Sequence, residues 1–285
     1  MASLAPILTR ADAPASPPGP SRTTSPAPAG SWLARTRWTP AFLPVLLLSA
    51  WQLASTTGAL PATILPAPTA VIDVGGELIR DGTLIANLGV SAARALVGLL
   101  AGGTIALALG LATALSPGLR RLLDPTLQAV RTIPHLALIP LVILWFGIDE
   151  GAKILLVGWG VFFPIYLNTY HGVTSVDPGL IEMGRVYGMR RMTLFRRVIL
   201  PGALPSILVG LRFALGIMWL TLIVAETIAA NSGIGYMANQ AREFSQTDVI
   251  VLAILVYACL GKLADSITRL IERRFLRWNP AYGVR

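Results

Sequence analysis

Three charged side chains lie in segments of the sequence that are otherwise apolar. Arg94 and Glu226 fall near the ends of two such segments, and Arg212 falls well inside one. A charge inside an apolar membrane segment is costly, and it normally faces an ionic partner, a cavity or the path of a solute. Arg94, Arg212 and Glu226 are therefore candidate residues of a translocation path or gate. For Arg94 the favoured alternative is snorkelling to the lipid headgroups; for Arg212 a structural ion pair is equally favoured, and Glu226 could instead face water.

The residues that most enzymes use are scarce and scattered. His135 and His171 are isolated, show no nucleophile-and-base pattern, and are expected at the membrane interface. The one cysteine, Cys259, can neither form an intrachain disulfide nor build a zinc site. A phosphate-binding loop of the form G-x-x-x-x-G-K-[ST] is absent, because Lys262 is followed by Leu263. The sequence therefore predicts a chain that is not an enzyme, with no metal site and no bound cofactor.

The composition places these residues in a membrane protein. Of the 285 residues, 54% are hydrophobic and 13% are charged, whereas an ordinary soluble domain carries roughly 25% charged residues. The net charge of +9 is explained by arginines in cytoplasmic loops, so no nucleic-acid partner is expected. The expected fold class is all-α, a polytopic bundle of helices that contacts membrane lipid.

Six apolar runs are candidates for membrane spans, since about 20 apolar residues cross the hydrocarbon core. They are residues 41–60, 90–115, a short third run ending in 135–147 that Pro134 and Pro140 break, 152–171, 203–225 and 248–264. Arginines collect before the first span, after the second, after the fourth and after the sixth, while the alternate loops are acidic or nearly neutral. The positive-inside rule then places both termini in the cytoplasm. In the second span, Gly98 and Gly102 predict close helix packing within one bundle rather than a dimer contact.

Three segments follow from this pattern. Residues 1–38 are rich in Pro, Ala and Ser and are predicted to be a disordered cytoplasmic tail. Residues 39–275 form the transmembrane domain, and residues 276–285 form a short cytoplasmic tail. Removal of residues before Arg35 is expected to leave function intact.

The cytoplasmic loop at residues 176–205 is much longer than a connection between helices requires. Asp177 and Pro178 are typical of a helix start, and Leu180, Met183 and Tyr187 then fall on one helix face. Gly188 is expected to end this helix and to allow a close turn that a side chain would block. A second, basic helix follows through residues 190–197, and prolines are expected to break the chain where it re-enters the bilayer. The loop is thus a helical hairpin on the membrane face, held there by anionic lipid or by a protein partner.

The sequence of this hairpin resembles a known motif. Residues 182–188 (EMGRVYG), a spacer of nine residues and residues 198–201 (VILP) are similar to the EAA motif of ABC importer permeases. The matching residues are Glu182, Gly188, Leu200 and Pro201, whereas Met183 and Gly184 replace the two alanines and Val198 replaces isoleucine. Residues 131–148, 198–213, 218–226, 231–236 and 277–282 resemble one branch of that family, the permeases for aliphatic sulfonates.

The resemblance implies the type I ABC importer permease fold and a division of labour. In this family the EAA loop docks in a groove of a separate ATPase subunit, which binds ATP and Mg²⁺. The coupling residues would be Leu180, Glu182, Met183, Gly184, Tyr187, Gly188, Leu200 and Pro201. Six spans make half of a pathway, so a homodimer is implied. A periplasmic or lipid-anchored binding protein would deliver the solute, and the permease would lie in the bacterial inner membrane.

Several functions remain alternatives on the sequence alone. The same architecture serves taurine, nitrate and pyrimidine precursors. An ion-coupled secondary transporter would need acidic residues at mid-membrane and an internal repeat, neither of which is evident. An integral-membrane enzyme would need a cluster of histidines and carboxylates, and the two histidines are isolated.

Overall fold

The computed structural model describes residues 39–278, and within that range the chain is helical and has no strand. The α-helices are α1 (Thr39–Thr56), α2 (Pro68–Arg80), α3 (Thr83–Leu115), α4 (Pro117–Arg131), α5 (Ile139–Phe146), α6 (Glu150–Thr174), α7 (Pro178–Val186), α8 (Arg191–Leu194), α9 (Leu200–Ala229), α10 (Ile234–Glu243) and α11 (Thr247–Phe275). A 3₁₀ turn at His135–Leu138 precedes α5, and a π turn at Phe195–Ile199 joins α8 to α9. The all-α prediction is confirmed, while the predicted tail at 1–38 and residues 279–285 lie outside the described residues.

The described residues divide into two units, with the boundary between Leu47 and Leu48. All tertiary contacts given below lie within the second unit. Its core consists of α6 packed between α3 and α9.

Glycines allow α3 and α6 to approach closely. A Cβ at Gly98 would lie 2.5 Å from Val157 Cγ1, and one at Gly102 would collide with the backbone of Gly158. A Cβ at Gly110 would lie 2.9 Å from the carbonyl oxygen of Tyr166. Because hydrocarbon gives little hydrophobic drive for helix association, such close backbone packing is a main source of bundle stability. The prediction that Gly98 and Gly102 pack within the bundle is confirmed.

The described residues contain four helices that are long and apolar enough to cross a membrane. These are α3, α6, α11 and the continuous helix Arg191–Ala229. The segments Pro117–Arg131 and His135–Phe146 are bent by 81° relative to each other, and they make a fifth span if the bent pair counts as one. The apolar part of α1, Phe42–Thr56, is shorter than these spans. The predicted break in the third span is present, and the count of six spans stays a prediction.

Two short helices, α2 and α10, lie between the predicted spans and were not predicted from the sequence. Both pack on α11, and a Cβ at Gly75 of α2 would lie 3.1 Å from Leu252 of α11. Both helices lie in the acidic or nearly neutral loops between the predicted spans, and with thirteen and ten residues they are too short to cross a bilayer.

The bundle has two ends that matter for function. About the first third of α3, the start of α6 and the last turn of α9 meet at one end, which we call the Glu226 end. The last residues of α6 lead into α7 at the other, the α7 end.

Candidate functional sites

The hairpin at the α7 end, residues 177–194, begins with a well-formed cap. The carboxylate of Asp177 accepts a hydrogen bond from Gly179 N at 2.8 Å, and Pro178 occupies the first helical turn. A side-chain acceptor at this position satisfies one of the free N–H groups of the helix start. The predicted start of α7 is confirmed.

The end of α7 is a Schellman motif. Gly188 N donates to Arg185 O at 2.9 Å and Met189 N donates to Gly184 O at 3.0 Å. Gly188 has a φ of +73°, the left-handed conformation that glycine adopts at little cost. A Cβ there would meet nothing within 4 Å. The prediction that Gly188 ends α7 in a close turn is confirmed, and within this chain the backbone conformation, rather than lack of space, favours glycine.

Gly184 has the steric role instead. A Cβ at Gly184 would lie 2.6 Å from Leu194 Cδ1 of α8, and Leu194 is buried. Gly184 thus brings the two arms of the hairpin together, at the position where the EAA motif has a small residue.

The hairpin presents an apolar face that is not covered by the described residues. Leu180 and Met183 are about half exposed and Tyr187 is 78% exposed. Glu182 is also exposed, and none of the ion pairs found among residues 39–278 includes it. Leu200 and Pro201 lie in the first turn of α9 and are partly buried.

The prolines do not break the chain where it was predicted. The chain is helical without interruption from Arg191 to Ala229. The π turn at Phe195–Ile199 immediately precedes Pro201, and Pro205 lies inside α9. Proline lacks the N–H of a regular helix, and membrane helices absorb this through local π or 3₁₀ adjustments.

At the Glu226 end, Arg94 of α3 is buried and all five of its N–H groups have acceptors. Its Nε and Nη2 donate to the two carboxylate oxygens of Glu150 at 2.5 and 2.6 Å. Its Nη1 donates to Glu226 Oε1 at 2.8 Å and to the carbonyl oxygen of Ser232 at 2.6 Å. Nη2 also donates to Ser232 Oγ at 2.9 Å. A guanidinium has five donors in a fixed plane, so this site holds Arg94 in one orientation.

Glu226 is the buried centre of the same network, with 1% of its surface exposed. Ser91 Oγ lies 2.8 Å from both carboxylate oxygens, and Gly235 N and Tyr257 Oη donate to Oε2 at 3.0 and 3.1 Å. A buried carboxylate is tolerated only with such a set of partners. We call Ser91, Arg94, Glu150, Glu226, Ser232 and Tyr257 the Arg94 network.

Two glycines leave room for the Glu226 carboxylate. Gly233 has a φ of +108°, and a Cβ there would lie 2.6 Å from Glu226 Oε2. A Cβ at Gly235 would lie 2.7 Å from Glu226 Cβ. The chain between α9 and α10 is therefore folded directly over the acid.

The structure corrects the snorkelling interpretation of Arg94, because its guanidinium is paired inside the protein. It also joins Arg94 and Glu226, two of the three predicted path or gate residues. Sequence analysis missed Ser91, Glu150 and Tyr257 as their partners, because Glu226 is 135 residues from Ser91. The glycines at 233 and 235 were the available signal of a close approach.

Arg212, the third candidate, lies apart from that network. Its Nη2 donates to Glu272 Oε2 of α11 at 2.5 Å, and its Nε lies 3.7 Å from Asp265 Oδ1. Of the two interpretations of Arg212, a path residue or a structural ion pair, the structure contains the ion pair. Asp265 also pairs with Arg269 at 2.7 Å, four residues further along α11.

His135 has a partner for its ring nitrogen within the chain. Its Nε2 lies 3.0 Å from Thr221 Oγ1 of α9, and the side chain is partly buried. The hydrogen bond fixes the start of the segment that leads into α5.

Comparison with known proteins agrees with the fold and the hairpin motif. The family described as "Binding-protein-dependent transport system inner membrane component" matches residues 98–277. The chain is 58% identical over 258 residues to a protein of Escherichia coli K12 named as the aliphatic sulfonates transport permease SsuC, which covers 90% of this chain and 97% of that one. It is 38% identical to the taurine transport system permease protein TauC of the same organism, over 82% and 87% of the two chains.

A solved structure shows the same fold. A chain of the MetNI methionine ABC transporter, in inward-facing conformations, matches with a TM-score of 0.54 and 21% identity, over 67% of this chain and 97% of that chain. The sequence resemblance is thereby confirmed: the chain belongs to the family of binding-protein-dependent inner membrane components, the permeases of ABC importers.

Proposed function

We propose that the chain is the permease subunit of an ABC importer for aliphatic sulfonates. The higher identity to the permease named for aliphatic sulfonates than to the one named for taurine supports this substrate class. If no sulfonate is taken up, an importer of the same architecture for taurine, nitrate or a pyrimidine precursor is favoured instead.

The proposal extends to a separate ATPase that docks on the α7 hairpin. The observation that carries this step is the exposed apolar face of Leu180, Met183 and Tyr187, which lies beyond the end of the membrane helix α6. An apolar ridge with charged neighbours fits a groove of a partner protein. ATP and Mg²⁺ would bind that partner, and its closure would be transmitted through the hairpin into α9, because α8, the π turn and α9 are continuous.

The remaining parts of the assembly follow the family. Two copies of the chain would enclose the path, and a periplasmic or lipid-anchored binding protein would deliver the solute. Both termini would face the cytoplasm, which the arginines of the hairpin and of the last turn of α11 support.

Growth tests the substrate class. A strain that lacks the gene should fail to grow on ethanesulfonate as the sole sulfur source and should grow normally on sulfate. The wild-type gene should restore growth. Normal growth of the strain on ethanesulfonate, with no other sulfonate uptake system present, would contradict the proposal.

Two substitutions at one position test the hairpin. Gly188→Asn keeps access to the left-handed conformation, whereas Gly188→Val does not. If the conformation is what the ATPase needs, the asparagine variant should support much more uptake than the valine variant at equal expression. Equal loss in both would mean that the partner approaches Gly188 too closely for any side chain. Full uptake in both would contradict the coupling role of the hairpin.

A further inference from the structure

A cavity of about 340 Å³ lies between α6, α9 and the segment that enters α5. We call it the α6–α9 groove, and its volume is in the range of small-molecule sites. The residues that line it and carry the argument are Arg131, His135, Trp159, Phe163, Asn168 and Phe213.

Three local features create the groove. The chain bends by 81° between α4 and the segment His135–Phe146, which separates Arg131 from the body of α5. The hydrogen bond between His135 and Thr221 ties that segment to α9. A Cβ at Gly160 would lie 2.8 Å from Thr221 Oγ1 and 3.2 Å from Ile217 Cγ2, so α6 and α9 are close-packed beside His135.

The walls of the groove are apolar and aromatic. Trp159 and Phe163 pack edge to face with ring centroids 6.0 Å apart, which fixes both rings. Phe213 of α9 is more than half exposed. Asn168, which also lines the groove, donates from its side-chain amide to Pro164 O at 2.8 Å.

The groove has one permanent charge, and it is positive. Arg131 is exposed, and the ion pairs within residues 39–278 do not include it. Among the described residues, no carboxylate lines the groove. A second cavity of similar size, about 350 Å³, differs because a carboxylate, Asp124, lines it together with Arg120 and Arg121.

We infer that the α6–α9 groove binds the transported solute as an amphipathic monoanion, with the anionic head at Arg131 and the alkyl chain against Trp159, Phe163 and Phe213. An alkanesulfonate has this shape and charge. A bidentate guanidinium contact suits a planar or tetrahedral oxyanion, and the aromatic wall suits a chain of methylene groups. The inference rests on the proposed function, because it assigns a site to that substrate class.

A thiol-reactive sulfonate provides a direct probe. The variant Phe213→Cys is made with Cys259→Ser, which removes the one native thiol, and the complete importer is placed in lipid nanodiscs. The reagents are the anionic 2-sulfonatoethyl methanethiosulfonate and the neutral methyl methanethiosulfonate. The matched control is Leu263→Cys on α11. Like Phe213, Leu263 is more than half exposed. Leu263 lies as many residues from the start of α11 as Phe213 lies from the end of α9.

The anionic reagent should label Phe213→Cys faster than Leu263→Cys, and hexanesulfonate should slow labelling only at Phe213→Cys. Adding Arg131→Gln should lower the rate of the anionic reagent by at least about tenfold, which corresponds to a single charge-assisted hydrogen bond of the bidentate contact, and should leave the neutral rate unchanged. Arg121→Gln, on the same helix but outside the groove, should change neither rate.

Other occupants give other results, and each overturns the inference. A lipid chain in the groove predicts labelling by the neutral reagent alone. A second copy of the chain on the groove predicts no labelling by either reagent. Anionic labelling that does not depend on Arg131 also overturns it.

The two proposals fail separately. Sulfonate uptake by the wild type without protection of Phe213→Cys would overturn the groove and leave the proposed function in place. Protection by hexanesulfonate without uptake of any sulfonate would overturn the proposed substrate and leave the anion site in place.

Discussion

The Arg94 network and the α7 hairpin lie at opposite ends of the bundle and differ in how their side chains are satisfied. In the network, every N–H of Arg94 has an acceptor and Glu226 is buried. In the hairpin, Tyr187 and its neighbours on the same face are exposed. The difference indicates that the network positions helices within this chain, and it supports our proposal that the hairpin docks on a separate ATPase.

The largest expected effect tests the burial of the network. Glu226→Ala should lower the free energy of unfolding by about 3–5 kcal/mol, because it leaves Arg94, Ser91 and Tyr257 buried without their shared acceptor. Glu150 contacts the same guanidinium and Lys153, but its side chain is 58% exposed, so water can partly replace it and Glu150→Ala should cost less, about 1–2 kcal/mol. Unfolding in mixed micelles of increasing SDS content measures both. Equal losses would contradict the distinction between a buried and an exposed partner.

A smaller loss is expected at the glycine that covers Glu226. Gly233→Ala should cost about 2–3 kcal/mol, because the new Cβ adds a collision with the carboxylate to an unfavourable φ. Gly82 has a φ of +81° and open space around its Cβ position. Gly82→Ala should therefore cost about 1 kcal/mol, from the backbone alone. The same unfolding assay measures both variants. If Gly233→Ala lowers the free energy of unfolding no more than Gly82→Ala does, the predicted collision with Glu226 is refuted.

Local signals in the sequence were sufficient for the hairpin and insufficient for the network. Asp177, Pro178 and Gly188 mark the two ends of α7, because capping and left-handed turns depend on neighbouring residues. Arg94 and Glu226 were singled out by their charge in apolar runs, but their pairing depends on how α3 and α9 meet. The continuous helix through Pro201 and Pro205 was missed because a π turn cannot be recognised from proline positions alone.

Substitutions at Arg212 distinguish a role in the solute path from a role in a structural ion pair. Arg212→Gln leaves the buried Glu272 without its cation. Because Arg212 itself is partly exposed, the free energy of unfolding should fall by only about 1 kcal/mol. The double variant Arg212→Gln with Glu272→Gln should recover most of that loss and should retain uptake. Loss of uptake in a stable double variant would instead assign Arg212 to the solute path.

The smallest effect on stability is expected at the exposed face of the hairpin. Tyr187→Asp should change the free energy of unfolding by less than about 0.5 kcal/mol, as for other exposed sites. Uptake should nevertheless fall strongly, because a buried charge would disrupt an apolar contact with the ATPase. A stability loss as large as that of Glu226→Ala would show that the hairpin is part of the core.

The most direct test of the division between the two ends is site-specific cross-linking in membranes that contain the whole importer. A photoreactive p-benzoylphenylalanine replaces Tyr187 in one variant and Phe244 in another; both side chains are largely exposed, and Phe244 directly follows α10. The account predicts a cross-link to the ATPase subunit from position 187 and none from position 244. A cross-link to the ATPase from position 244, or none from position 187 in an importer that hydrolyses ATP, would contradict it.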